Sequence, residues 1–167
     1  TGVVTTLAGS TTGAAGHADG TGTAALFSAP GGIAIDSSGT NLYVADTGGF
    51  RSTTGNTIRK IVIATGVVTT LAGTAGTYGS ADGTGPAATF NHPEGLTIDS
   101  AGNLVVVDRR NDTIRKVTPA GVVTTVAGTL GQRGFAANTL PAPRFASLSG
   151  NTLYLSARHG VLTGNLP

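Results

Sequence analysis

The chain has 167 residues, a length that fits one domain, with 11% of them charged and 27 of them glycine. It contains no cysteine, which excludes disulfides, zinc–thiolate centres and cysteine nucleophiles, and no apolar run of about 18 residues that would cross a bilayer as a helix. Ten basic residues face eight acidic ones for a net charge of +2. The paired cations Arg59-Lys60, Arg109-Arg110 and Arg115-Lys116 are scattered rather than gathered into a nucleic-acid-binding stripe.

Glycine with abundant Thr, Ser, Ala and Val favours short strands and tight turns over helices. The lack of Cys, Met and Trp and the scarcity of Lys suit a protein exposed outside the cell. A first residue Thr1 points to a removed leader or to a segment of something longer. The first predicted strand is Val3 to Leu7, within Gly2-Val3-Val4-Thr5-Thr6-Leu7-Ala8-Gly9. A Gly-rich link from Gly9 to Pro30 follows and carries Ala18-Asp19-Gly20-Thr21-Gly22. Ile33 to Asp36 is a short buried-type run closed by the turn cluster Ser37-Ser38-Gly39. Asn41 to Ala45 sets Leu42 and Val44 on one face and Tyr43 on the other. Thr57 to Ile63 alternates Ile58, Lys60 and Val62 with Arg59, Ile61 and Ile63, and Val67 to Leu71 is a further alternating run.

The order then starts again. Gly66 to Gly73 copies Gly2 to Gly9 residue for residue, and Gly121 to Gly128 copies it with Val126 for Leu. Ala81-Asp82-Gly83-Thr84-Gly85 repeats the link block, and Phe90-Asn91-His92-Pro93-Glu94-Gly95-Leu96-Thr97-Ile98-Asp99 answers Phe27 to Asp36. Asn103 to Asp108 matches Asn41 to Asp46, and Thr113-Ile114-Arg115-Lys116-Val117 matches Thr57 to Ile61. Four antiparallel strands in about 55 residues make one propeller blade. The expected fold is therefore all-β, a partial propeller of about three blade-equivalents. The repeats span about 1–63, 64–118 and 119–167, the third degraded. In that third unit Leu140-Pro141-Ala142-Pro143-Arg144-Phe145 reads against Gly85 to Phe90, which leaves the Pro-x-Gly-Ile run missing. Phe145 to Leu148 is a remnant inner strand, Asn151 to Ala157 keeps the second strand, with Ala157 for the closing Asp, and a third strand follows around Val161-Leu162.

These motifs resemble the NHL repeat family. Pro30-Gly31-Gly32-Ile33-Ala34-Ile35-Asp36, Asn41 to Asp46 and Ile58-Arg59-Lys60-Ile61 are similar to its recurring pattern, and the resemblance covers residues 1–128. The family's Asp-Thr-Gly-Asn-x-Arg-Ile step departs in both copies, as Asp46-Thr47-Gly48-Gly49-Phe50-Arg51 with an insertion to Asn56, and as Asp108-Arg109-Arg110-Asn111-Asp112. The resemblance implies four-stranded blades. It also admits enzymes, lyases or lactonases that gather carboxylates, Asn or His around an axial metal, which three blades hardly supply.

No catalytic constellation, metal set or cofactor motif stands out. There is no Gly-x-Ser-x-Gly elbow with a His partner. His17, His92 and His159 occupy different registers without a carboxylate at ligand spacing. Asp19 and Asp82 precede glycine in turns, and Asp36, Asp99, Asp46 and Asp108 end strands in both copies, which marks them as scaffold. The candidate binding residues are Arg109 and Arg110, for an acidic partner or glycan, Tyr78, for stacking on a sugar, and His17 and His92. Asn111-Asp112-Thr113 fits an N-glycosylation sequon.

Three blades do not close a ring. The chain opens on an outer-type strand without its inner strands and ends on inner strands without an outer one. Val3, Thr5 and Leu7 at one end and Leu153 and Leu155 at the other are therefore the expected assembly strands. The expected function is a non-catalytic, extracellular structural or interaction module whose partners are copies of itself or other blades. The alternatives are a glycan- or protein-binding propeller domain excised from a longer protein, and a fragment of a propeller lyase or lactonase. Nucleic acid is not an expected partner.

Overall fold

The computed structural model describes residues 2–49, 54–132 and 140–166. Among these residues the fold is all-β. Its strands are β1 (Gly20–Thr21), β2 (Pro30–Ile35), β3 (Asn41–Asp46), β4 (Thr57–Val62), β5 (Val67–Ala72), β6 (Gly83–Thr84), β7 (Pro93–Ile98), β8 (Leu104–Asp108), β9 (Thr113–Val117), β10 (Val122–Ala127), β11 (Phe145–Ser149), β12 (Thr152–Ala157) and β13 (Gly160–Asn165). They form antiparallel sheets ordered β1-β5-β4-β3-β2, β6-β10-β9-β8-β7 and β11-β12-β13, here termed blades 1, 2 and 3. The inner strands β2, β7 and β11 pack in that sequence, as in a propeller.

Three expectations change. The long links are not wholly irregular: Gly20–Thr21 and Gly83–Thr84 each add a fifth strand to the outer edge of the blade that follows, through Val67-Val68 and Val122-Val123. In the degraded unit the inner strand expected at Phe145 to Leu148 is present as β11, and what changes is its register, which restores a counterpart to the Pro-x-Gly-Ile run. Leu140, not Phe145, takes the place of Phe90: the Cβ direction of Gly73 meets Phe90 at 3.1 Å, and that of Gly128 meets Leu140 at 3.1 Å. Pro143 then aligns with Pro93, and Ala146 lies opposite Leu155 as Leu96 lies opposite Val106. The third change is at the start, where residues 2–6 lie in no strand. Phe50 and Arg51, part of the departing step, lie outside the described residues.

Each β2–β3 type hairpin is fixed by its aspartate. Asp36 Oδ1 accepts from the N–H groups of Thr40 and Asn41, at 2.9 and 3.2 Å, while Asn41 Nδ2 donates to Oδ2 at 2.7 Å. Asp99 accepts from Ala101 N, Asn103 N and Asn103 Nδ2 at 2.9, 2.8 and 2.9 Å. Burial tends to raise the Asp99 pKa, but the bonds from Asn103 outweigh it and hold the carboxyl below 3.8. A depressed folded-state pKa contributes stability that is complete above 3.8 and is lost as the pH falls through the lower folded value. Asp99→Asn is therefore expected to make the fall in Tm below about pH 4 shallower than in the parent chain, as scanning calorimetry across pH would read.

The basic pairs of the sequence dissolve in the fold, because Arg59 and Arg115 are fully buried. Arg115 Nη1 donates to Asp108 Oδ2 at 2.9 Å and Nη2 to Asp82 Oδ1 at 2.7 Å, with Thr89 O and Ala81 O as further acceptors. Its guanidinium lies 5.2 Å from the Phe90 ring centroid. Arg59 repeats this with Asp46, Asp19, Leu26 O, Ala18 O and Phe27. Asp82 also accepts from Thr125 N and Oγ1, and Asp19 from Thr70, so these aspartates tie the link to the blade's outer strand. Asp108 accepts from Asn91 N at 2.7 Å and Asp46 from Ser28 N at 2.6 Å. Burial pushes Asp108 up to about 6, against the bonds from Asn91 and Asn111 and the charge of Arg115, so it is ionised at neutral pH.

Blade 3 dispenses with the whole device. Ala157 stands where Asp108 stands. Leu162, opposite Leu155, stands where Arg115 lies opposite Val106. A buried cation without its carboxylate is costly, so the two are lost together and an apolar pair replaces them.

Strand alternation then divides each blade into two apolar faces. Tyr43, Ala45, Ile58 and Ala72 of blade 1 pack on Phe90, Leu96, Leu104, Val106 and Val117 of blade 2. Val105, Val107 and Ile114 on the reverse of blade 2 pack on Leu153 and Leu155 of blade 3. Among the described residues the two outermost faces have no blade against them. On blade 1, Ile33 is 59% exposed, whereas its blade 2 counterpart Leu96 is 6% exposed. On blade 3, Phe145, Tyr154 and Val161 are exposed, Val161 at 76%.

Candidate functional site

Side chains that the repeat does not need gather where blade 2 meets blade 3. The β8–β9 turn is rigid: Asn111 N donates to Asp108 O at 3.0 Å, and Asp112 takes φ +56° to close it. Arg109 N donates to His92 O and Arg110 N to Asn91 O, at 3.3 and 3.0 Å, which clamps the turn onto the link ahead of β7. Asn111 Nδ2 donates to Gly79 O and to Asp108 Oδ2, both at 2.7 Å, and the residue is buried. Glycosylation of the sequon would break both bonds.

Arg158 sits in the corresponding β12–β13 turn and Arg144 at the head of β11. With Arg109, Arg110 and Ala142 they line an open cleft of about 360 Å³. Backbone bonds hold both added arginines in place, Arg144 N to Ser156 O at 2.9 Å and Arg158 N to Pro141 O at 3.2 Å. Arg110, Arg144 and Arg158 are exposed, and Arg109 Nε is paired with Glu94 Oε2 at 3.0 Å. His92, buried at φ +55°, has its pKa lowered by burial first and then by the charges of Arg110 and Arg109. Its Nε2 has no hydrogen-bond partner among the described residues. The Tyr78 ring stacks on His92 with centroids 6.3 Å apart and planes at 23°.

Of the binding residues expected from the sequence, Arg109, Arg110, His92 and Tyr78 thus form one neighbourhood. His17 is exposed on the blade 1 link, within electrostatic reach of Asp46. The sequence reading does not reach Arg144 and Arg158, because it sets the third unit out of register. In the correct register Arg144 replaces Glu94, and Arg158 follows Ala157 as Arg109 follows Asp108. Among the described residues, no three His, Asp or Glu side chains are grouped to hold a metal.

The assembly residues are also placed. Leu153 and Leu155 lie on β12, whose two edges are taken by β11 and β13, and they are buried against blade 2. The open edge of blade 3 is β13. Val3 is exposed, and Leu7 borders an apolar groove of about 300 Å³ on the open face of blade 1, with Phe27, Ile33, Leu42, Val44 and Ile61.

Residues 90–117 match the NHL repeat family. No curated protein matches the sequence. The fold is similar to an auxiliary nutrient binding protein from Bacteroides thetaiotaomicron, at TM-score 0.61 and 19% identity over 75% of this chain and 34% of that one. A protein of unknown function from the same organism gives TM-score 0.64 and 19% identity over 83% and 47% of the two chains. A gluconolactonase from Xanthomonas campestris gives 0.56 and 16% identity over 86% and 39%. The chain spans less than half the length of each of these structures, and identities this low establish the fold alone. Binding proteins and enzymes both occur on it.

Proposed function

We propose that this NHL-repeat partial propeller is a non-catalytic interaction module that completes itself by docking its two open ends, one copy to the next. The observation that carries this reading is that the two ends are complementary. Gly9 N donates to Gly22 O at 3.1 Å as Gly73 N donates to Gly85 O at 3.0 Å. The Cβ direction of Gly66 meets Leu7 O as that of Gly121 meets Leu71 O, at 3.2 and 2.7 Å. Leu7 to Gly9 therefore stand against blade 1 where the end of a preceding blade's outer strand stands, and the other strands of that blade are absent among the described residues. Among the described residues blade 3 has three such strands, β11, β12 and β13, and no outer one.

The repeat supports one register for the proposed pairing. Thr124 lies opposite Lys116, and Thr69 opposite Lys60. Thr5 is the counterpart of Thr124 and Thr69, and Thr163 of Lys116 and Lys60, so Thr5 of one copy faces Thr163 of another. The joined strand covers the open β13 edge, and the open face of blade 3 meets the face around Ile33. Two copies give about six blade-equivalents, within the range of closed propellers.

The chain has no cysteine, so engineered thiols report this contact directly. Mixing Thr5→Cys with Thr163→Cys under mild oxidation is expected to give the crosslinked heterodimer as the main product. Thr5→Cys mixed with Ser38→Cys, on a distant hairpin, is the control. A yield no higher than the control would contradict the pairing. The proposal extends to location outside the cell, for which the composition speaks; secretion of a leader-fused chain in folded form is the expected result.

A further inference from the structure

We propose that the arginine-lined cleft between blades 2 and 3 binds a saccharide bearing oxyanion groups, its carboxylates or sulfates held by Arg110, Arg144 and Arg158. Where side chains serve the scaffold of blades 1 and 2 the two repeats agree, as Asp46 and Asp108 do, or Arg59 and Arg115. Here they diverge, and four of the replacements are arginine. Arg109-Arg110 replaces Thr47-Gly48, and Arg144 occupies the position of Glu94 in blade 2 and Gly31 in blade 1.

Seven of the eight acidic residues have the following partners, one of which, Arg109, lines the cleft. Asp19, Asp46, Asp82 and Asp108 serve the two buried arginines, Asp36 and Asp99 close hairpins, and Glu94 pairs with Arg109. None of the eight lines the cleft. Like charges held together by rigid backbone repel one another, and a multivalent anion relieves that repulsion. Guanidinium groups present planar forks that match carboxylate and sulfate oxygens two at a time. The volume of about 360 Å³ is that of a small-ligand site.

The neighbouring ring pair decides between ligand classes. Tyr78, 44% exposed, stacks on His92, which itself lies within electrostatic reach of Arg109 and Arg110. The ring pair is not part of the cleft lining but adjoins it through the bond from Arg109 N to His92 O, and an exposed aromatic there favours an acidic saccharide over a bare phosphate.

The test is titration calorimetry of the intact chain with tetragalacturonate, a heparin-derived tetrasaccharide, neutral maltotetraose, inorganic pyrophosphate and single-stranded RNA. The expected result is binding of one of the two acidic saccharides at least 10-fold tighter than pyrophosphate, with none for maltotetraose. Affinity falls as salt rises. Arg144→Gln with Arg158→Gln is expected to weaken binding at least 10-fold while leaving the melting temperature unchanged, since both side chains are exposed. Tyr78→Ala weakens the saccharide and not pyrophosphate. Failure of both acidic saccharides to bind, or equal affinity in the double variant, overturns the site. Pyrophosphate or RNA binding as tightly as the saccharides overturns the ligand class.

Discussion

Arg115→Leu is expected to destabilise the chain by roughly 3–5 kcal/mol, and adding Asp108→Ala is expected to return a large part of that loss. The single change leaves the buried Asp108 carboxylate without its cation and removes the cation that pairs with Asp82. The double change copies what blade 3 already carries in Leu162 and Ala157. Recovery stays incomplete, because Asn91 N and Asn111 Nδ2 lose their acceptor. Urea unfolding of the two single variants and the double variant gives the coupling. Additive losses would show that cation and carboxylate act independently, and would remove the explanation for the apolar pair in blade 3.

Ile33→Asp is expected to abolish assembly while changing the stability of the isolated chain by no more than about 0.5 kcal/mol. The side chain is 59% exposed in the single chain, so a charge there meets water. In a docked pair the same carboxylate would be buried against an apolar blade face with no cation to meet it. Leu96→Asp is the contrast: that position is covered by blade 1 within the chain, and the variant is expected to lose its fold. Sedimentation of Ile33→Asp against the parent separates the two effects.

The blades were legible in the sequence because alternation and repetition carry the same message. Val3-Val4-Thr5-Thr6 and its copies, and the aspartates that close strands, recur wherever a strand must pair or a turn must close. What the pattern hid is instructive. Arg59 and Arg115 look like surface cations, yet they occupy the inward positions of their strands beside Ile61 and Val117, and their repetition was the available sign of burial. Gly20–Thr21 is too short to show any period. Blade 3 was read out of register because Leu140 replaces the phenylalanine that marks each link; Pro143, the counterpart of Pro30 and Pro93, would have corrected it. The cleft was half legible. Arg109-Arg110 stands out as an adjacent pair, but Arg144 and Arg158 are single residues joined only by the packing of blade 3 on blade 2.

The central claim is that complementary ends draw copies of the chain together, and the mass of the folded chain in solution tests it most directly. Multi-angle light scattering on the 16.3 kDa chain is expected to give twice that mass or a higher multiple, and deletion of residues 1–9 to return it to that of one chain or to aggregates. An intact chain that is folded and monomeric at about 100 μM, with the same mass per chain as its truncated form, would contradict the account.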